Sequence, residues 1–88
     1  METPITIVNK LGLHARAAAK LVEVASQFNA TCQLRRGEHI ADCKSIMSLL
    51  ILAASQHTRL TLCTQGSDAQ DADAAIVQLI QGRFDENE

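Results

Sequence analysis

The chain has 88 residues, 47% apolar and 20% charged, with eight Lys and Arg against ten Asp and Glu for a net charge of −2. That leaves room for one domain around one modest core, and the apolar content is too high for a disordered chain. No basic stretch exceeds Arg35-Arg36, and the only aromatics are Phe28 and Phe84, which argues against nucleic-acid binding.

The longest apolar run, Leu49 to Ala54, is far shorter than the ~20 residues needed to span a bilayer. The start, METPITIVNK, lacks a basic region followed by an apolar one, so a cytoplasmic location without membrane insertion is expected. Cys32, Cys43 and Cys63 are odd in number and widely spaced, which reads as three reduced thiols.

Thr3 to Val8 alternates polar and apolar residues, with Ile5 and Ile7 on one face, and predicts a strand whose beginning tolerates Pro4. Asn9 to Leu13 interrupts the alternation. From Ala15 the period becomes helical, with Ala18, Leu21, Val22, Ala25 and Phe28 on one face. Thr31 to Arg35 and His39 to Asp42 predict a hairpin that turns at Gly37. Ser45 to Ala54 predicts a short helix, and Arg59 to Thr64 a further strand.

Ser67-Asp68-Ala69-Gln70 has the spacing of a capping box at the start of a last helix, with Asp71 and Asp73 suited to its positive end. Ala72, Ala75, Ile76, Leu79 and Ile80 form its apolar stripe, and Gly82 is expected to stop it. The acidic tail Asp85-Glu86-Asn87-Glu88 is expected to fray. The order β-α-β-β-α-β-α, with one apolar stripe on each long helix, implies one α+β domain over residues 1–88. It is a two-layer open-faced sandwich, with a four-stranded antiparallel sheet and three helices on one face. Element order alone leaves a ferredoxin-like arrangement open.

His14 falls at the junction of loop and helix, where the first backbone N–H groups have no intrahelical acceptor. The amides of Ala15, Arg16 and Ala17, with the helix dipole, make an anion site within reach of a group carried on the imidazole. Arg16 adds a guanidinium that pairs with phosphate oxygens, and Gly12 removes bulk where a partner would approach. An imidazole with one unprotonated nitrogen is a competent phosphoryl acceptor. Position alone does not separate this from a solvated histidine near a helix start.

The stretch Asn9-Lys10-Leu11-Gly12-Leu13-His14-Ala15-Arg16, followed by small residues, closely resembles the active-site segment of the HPr/NPr family of bacterial phosphocarriers. Lys44-Ser45-Ile46-Met47-Ser48-Leu49-Leu50 resembles that family's second-helix segment, and the element order matches along nearly the whole chain. The resemblance implies that His14 accepts a phosphoryl group on Nδ1 from an enzyme I-type phosphotransferase charged by phosphoenolpyruvate. It also implies donation to an EIIA-type protein. Phe84-Asp85-Glu86 and Asn9-Lys10-Leu11-Gly12 look more like the nitrogen-related branch, NPr, than the sugar-transport branch. One position departs from the pattern: Ala17 stands where the family usually has proline, and it restores a backbone N–H. Such a protein is a reactant regenerated by its partners rather than a turnover catalyst.

Ser45 reads as an N-cap of the second helix, and the resemblance adds a regulatory phosphorylation site for an HPr kinase. That helix is apolar nearly all round, so Ile46, Met47, Leu50 and Ile51 are expected to join Ala15, Arg16 and Ala19 in a docking face on a monomer. His39 and His57 read as surface residues. No cofactor is expected: no metal-ligand spacing appears, and no Gly-rich loop suggests a nucleotide. The competing reading is a regulatory module that works by docking through its first two helices, with weak or no carrier activity.

Overall fold

The computed structural model describes residues 1–88. Strand β1 (Glu2–Thr6) leads into helix α1 (Ala15–Ala25). Strands β2 (Thr31–Arg36) and β3 (His39–Asp42), helix α2 (Ile46–Leu52), strand β4 (Arg59–Gln65) and helix α3 (Ala69–Gln81) follow. Every expected element forms, with shifted ends. β1 ends at Thr6, but Ile7 still donates to Thr58 O (3.0 Å) and accepts from the His57 N–H (2.6 Å). α2 ends at Leu52 because Ala53 turns left-handed at φ 54°.

The four strands form one antiparallel sheet in the order β1-β4-β2-β3. β1 is therefore an edge strand and β4 and β2 are central, which excludes the ferredoxin-like alternative, in which the first strand is central. Alternation decides the two faces. Ile5, Cys32, Leu34, Leu60, Leu62 and Thr64 point into the core, where α1 and α3 supply Ala18, Leu21, Ala25, Ala72, Ile76 and Ile80. The other face is open and polar, and Arg35 Nη2 meets Glu2 Oε1 across it at 2.9 Å. All three helices lie on the covered side, as the stripes imply.

Two helix ends differ from expectation. The Ser67–Gln70 capping box does not form: the N-cap of α3 is Asp68, and no side chain caps the helix. The Asp68 carboxylate instead accepts from the N–H groups of Asn29 (2.8 Å) and Ala30 (2.7 Å), tying the start of α3 to the turn before β2. Those donors hold the carboxyl below the ordinary carboxylate range. At the other end of α3, Gly82 keeps φ at −82°, and the left-handed residues are Arg83, Phe84 and Asp85, at 59°, 53° and 65°.

The tail does not fray. Phe84 is fully buried in the core, worth about 2–3 kcal/mol for a side chain of that size. Lys20 Nζ donates to Phe84 O at 2.7 Å, and Lys10 N–H bonds to Glu88 O. Left-handed geometry costs a non-glycine residue about 1–2 kcal/mol. The buried ring and these contacts hold the turn and bring residues 84–88 against the start of α1.

Candidate functional site

His14 is the N-cap residue of α1, with extended backbone angles of −89° and −178°. Its carbonyl accepts the first helical bond, from Ala18 N–H at 2.8 Å. The amides of Ala15, Arg16 and Ala17 precede that bond and meet no protein acceptor. Unlike Ser, Thr, Asp or Asn at an N-cap, His14 does not spend its side chain on these donors. The three candidate phosphate-binding amides are therefore free, and Ala17 adds one that proline would lack. Ala17 is fully buried as a whole residue, so its amide, though unpaired, lies beneath the surface, unlike those of the exposed Ala15 and Arg16.

The loop before His14 is set by a close backbone approach. Leu13 N–H donates to Ala54 O at 2.8 Å, and Gly12 adopts φ +69°. A Cβ on Gly12 would lie 2.7 Å from Ala54 O and 2.9 Å from Ser55 Cα. The bulk that Gly12 avoids is thus the chain's own segment after α2, not an incoming partner. Only glycine accepts both the angle and the proximity.

His14 Nε2 lies 2.5 Å from Glu86 Oε2, and His14 and Glu86 are both largely buried at this contact. The other carboxylate oxygen accepts from Asn9 Nδ2 at 3.0 Å, and Asn9 Nδ2 also donates to Gly12 O at 2.8 Å. Asn9 is fully buried, and flipping its amide would set an oxygen against Gly12 O and the Glu86 carboxylate. Burial, the largest single influence on Glu86, raises its pKa. Hydrogen bonds from Asn9 and His14, with the charges of His14 and Lys20, outweigh it and leave the carboxyl below its ordinary value. With Nε2 engaged, Nδ1 is the ring nitrogen without a protein partner.

Lys10, His14, Ala15, Arg16, Glu86 and Asn87 line an open depression of about 710 Å³. Arg16 is exposed there and makes no ion pair with a protein carboxylate. Sequence reasoning placed His14, Arg16 and the free amides together but missed Glu86 and Asn9. A carboxylate 72 positions from the histidine gives no local signal, and the burial of Asn9 shows only in the fold. It also missed Leu11, which is 68% exposed beside His14.

Ser45 caps α2, its hydroxyl accepting from Ser48 N–H at 3.2 Å. At the other end of α2, Arg36 Nη1 donates to Leu52 O and Ala53 O, both at 3.3 Å. Leu49 and Leu52 turn into the core, while Ile46, Met47, Leu50 and Ile51 remain exposed at 42%, 67%, 37% and 75%. α2 packs beside α1, on which Ala15, Arg16 and Ala19 are also exposed. His39 and His57 lie on the surface. The three cysteines are free; Cys32 and Cys43 are buried, and burial raises both thiols. No cluster of His, Cys, Asp and Glu could hold a metal ion, and no helix is long and apolar enough to cross a membrane.

Residues 1–82 match the family model described as the PTS HPr component phosphorylation site. The phosphocarrier protein HPr of Pseudomonas aeruginosa is 52% identical over 96% of this chain and 94% of its own. The phosphocarrier protein NPr of Shewanella violacea is 44% identical over 98% of this chain and 94% of its own. Among solved structures, HPr-C-His from Thermoanaerobacter tengcongensis superposes with a TM-score of 0.95 at 38% identity, over 100% of this chain and 99% of that one.

Proposed function

The chain belongs to the HPr phosphocarrier family of the phosphotransferase system, and on that premise we propose that His14 is its phosphoryl acceptor, reacting through Nδ1. The observation that carries this reading is the engagement of Nε2 by Glu86 at the start of a helix whose first three amides are free. A neutral imidazole with its proton on Nε2 presents a lone pair at Nδ1. The amides of Ala15, Arg16 and Ala17 and the Arg16 guanidinium then offset the two or so negative charges that the phosphoryl group brings. The amides are fixed by the helix, so only the exposed Arg16 side chain has to settle around the product.

The donor is an enzyme I-type protein and the acceptor an EIIA-type protein. Both dock on the exposed apolar residues Ile46, Met47, Leu50 and Ile51 together with Ala15, Arg16 and Ala19. One shared surface suits a carrier, since each partner must bring its own reactive group to the same nitrogen and must then leave. The protein works in the cytoplasm as a monomer. The finer assignment, to the nitrogen-related regulatory branch, rests on Phe84-Asp85-Glu86 and Asn9-Lys10-Leu11-Gly12; relatives bearing either name match nearly the full chain. Ser45 lies at the edge of the docking face, where an HPr kinase could modify it and place charge among the apolar residues.

Incubation with phosphoenolpyruvate and a catalytic amount of a cognate enzyme I tests the reading. Acid-labile, alkali-stable label is expected on the wild type and absent from His14→Ala. Unlabelled wild type beside a labelled relative would leave docking without transfer as the function. The branch is tested by offering the phosphorylated protein equal amounts of nitrogen-related and sugar-specific EIIA proteins. Faster transfer to the first is expected.

A further inference from the structure

The carboxylate of Glu86 reaches His14 from the far end of the chain, yet a phosphoryl acceptor at Nδ1 does not by itself require an acceptor on Nε2. We propose that Glu86 is a positioning residue that keeps a proton on His14 Nε2 in both the free and the phosphorylated protein, making Nδ1 a nucleophile in one and part of a neutral leaving group in the other. The phosphorylated half of this proposal rests on the carrier reading above.

The geometry is over-determined. Glu86 Oε2 lies 2.5 Å from Nε2, and Oε1 is held at 3.0 Å by Asn9 Nδ2. Asn9 is itself fixed by Gly12 O, and the tail that carries Glu86 is pinned by Phe84 in the core and by Lys20 on Phe84 O. Arg16 and Lys20 on α1, Lys10 in the preceding loop and Asp85 and Glu88 in the tail are the other charged groups around the ring. Lys20 lies 3.7 Å from Asp85 and Lys10 3.4 Å from Glu88, while the Glu86 carboxylate meets the His14 ring rather than any lysine or arginine. An ionised carboxylate only accepts, so its partner nitrogen must carry the proton.

The chemistry then balances without moving a proton. In the forward step the Nδ1 lone pair forms the N–P bond while the donor's bond to phosphorus breaks and returns its electron pair to the donor. The ring becomes a cation that keeps its Nε2 proton against the Glu86 carboxylate. In donation the Nδ1–P bond breaks, the electron pair returns to Nδ1, and a neutral imidazole departs. Had the proton been lost from Nε2, the departing group would be an imidazolate anion, a far poorer leaving group. The carboxylate thus keeps the phosphoryl group transferable.

Two variants separate charge from shape: Glu86→Gln keeps an acceptor of similar size without the charge, and Glu86→Ala removes both. Ring ¹⁵N shifts of unphosphorylated, neutral His14 are expected to report the Nε2-protonated tautomer in the wild type and in Glu86→Gln, and a mixture in Glu86→Ala. Decay of the phosphorylated proteins is then followed against pH. The acid-promoted limb of Glu86→Gln is expected to lie about one pH unit lower than that of the wild type, so that it decays about tenfold more slowly near neutrality. Equal tautomer populations in the wild type and Glu86→Ala, or superimposed decay profiles, would overturn the role of Glu86. An unlabelled wild type would instead overturn the carrier reading and the phosphorylated half of this proposal with it.

Discussion

Helices α1 and α2 lie side by side and begin in opposite ways. Ser45 closes the start of α2 by accepting from Ser48 N–H at 3.2 Å, whereas His14 occupies the same position on α1 and leaves the amides of Ala15, Arg16 and Ala17 open. A cap normally contributes about 1 kcal/mol. α1 forgoes that contribution and keeps its first amides unpaired, with the positive end of its dipole, beside the ring proposed as the phosphoryl acceptor. α2 takes the stabilisation and presents side chains instead. On the proposed reading the two helix starts divide the labour of a carrier, one for chemistry and one for contact.

The largest effect on this arrangement is expected from Gly12→Ala, which forces a Cβ to 2.7 Å from Ala54 O at a left-handed backbone angle. A loss of about 2–3 kcal/mol in urea unfolding is expected, with the Leu13-to-Ala54 bond that seats the α1 start disrupted. Unchanged stability would mean that the loop can shift without cost. Exchanging the two starts probes the contrast itself. His14→Ser should be about 1 kcal/mol more stable than His14→Ala, because a hydroxyl closes the open amides, and Ser45→Ala should lose about the same from α2. If His14→Ser and His14→Ala unfold together, the α1 amides are not cappable donors. The smallest expected change is in Ala17→Pro, which deletes one of the three amides while keeping helical φ. A roughly twofold shorter phosphohistidine half-life is expected, since one of three donors is lost. An unaltered half-life would remove Ala17 from the anion site.

The two starts also differ in how much of them could be read in advance. Ser45 before a helical apolar run is a local signal, and the cap formed as written. At α3 the same local logic named Ser67 and Gln70, but Asp68 took the N-cap position because its carboxylate could reach two donors in the turn before β2. Local propensity gave way to a contact across about forty residues. In sequence Gly12 reads as clearance for a partner, because nothing in its own neighbourhood shows that the chain returns past it at Ala54. The charge of the tail predicts fraying, yet Phe84 decides its place. One buried ring outweighs four polar residues when it carries them to Asn9, Lys10 and His14.

What the sequence alone determined is whatever depends on period and on neighbours: the seven elements, the core stripes, the histidine at a helix start and the arginine beside it. Burial follows these patterns because each element must hide its own apolar face, whatever lies opposite. Only the tertiary structure decided the strand order β1-β4-β2-β3, the close approach at Gly12 and the meeting of His14 with Asn9 and Glu86. Those are long-range juxtapositions, set by how the layers close on one another, and they leave no period or spacing in the chain. The last of them decides which ring nitrogen of His14 is engaged and which is left without a protein partner.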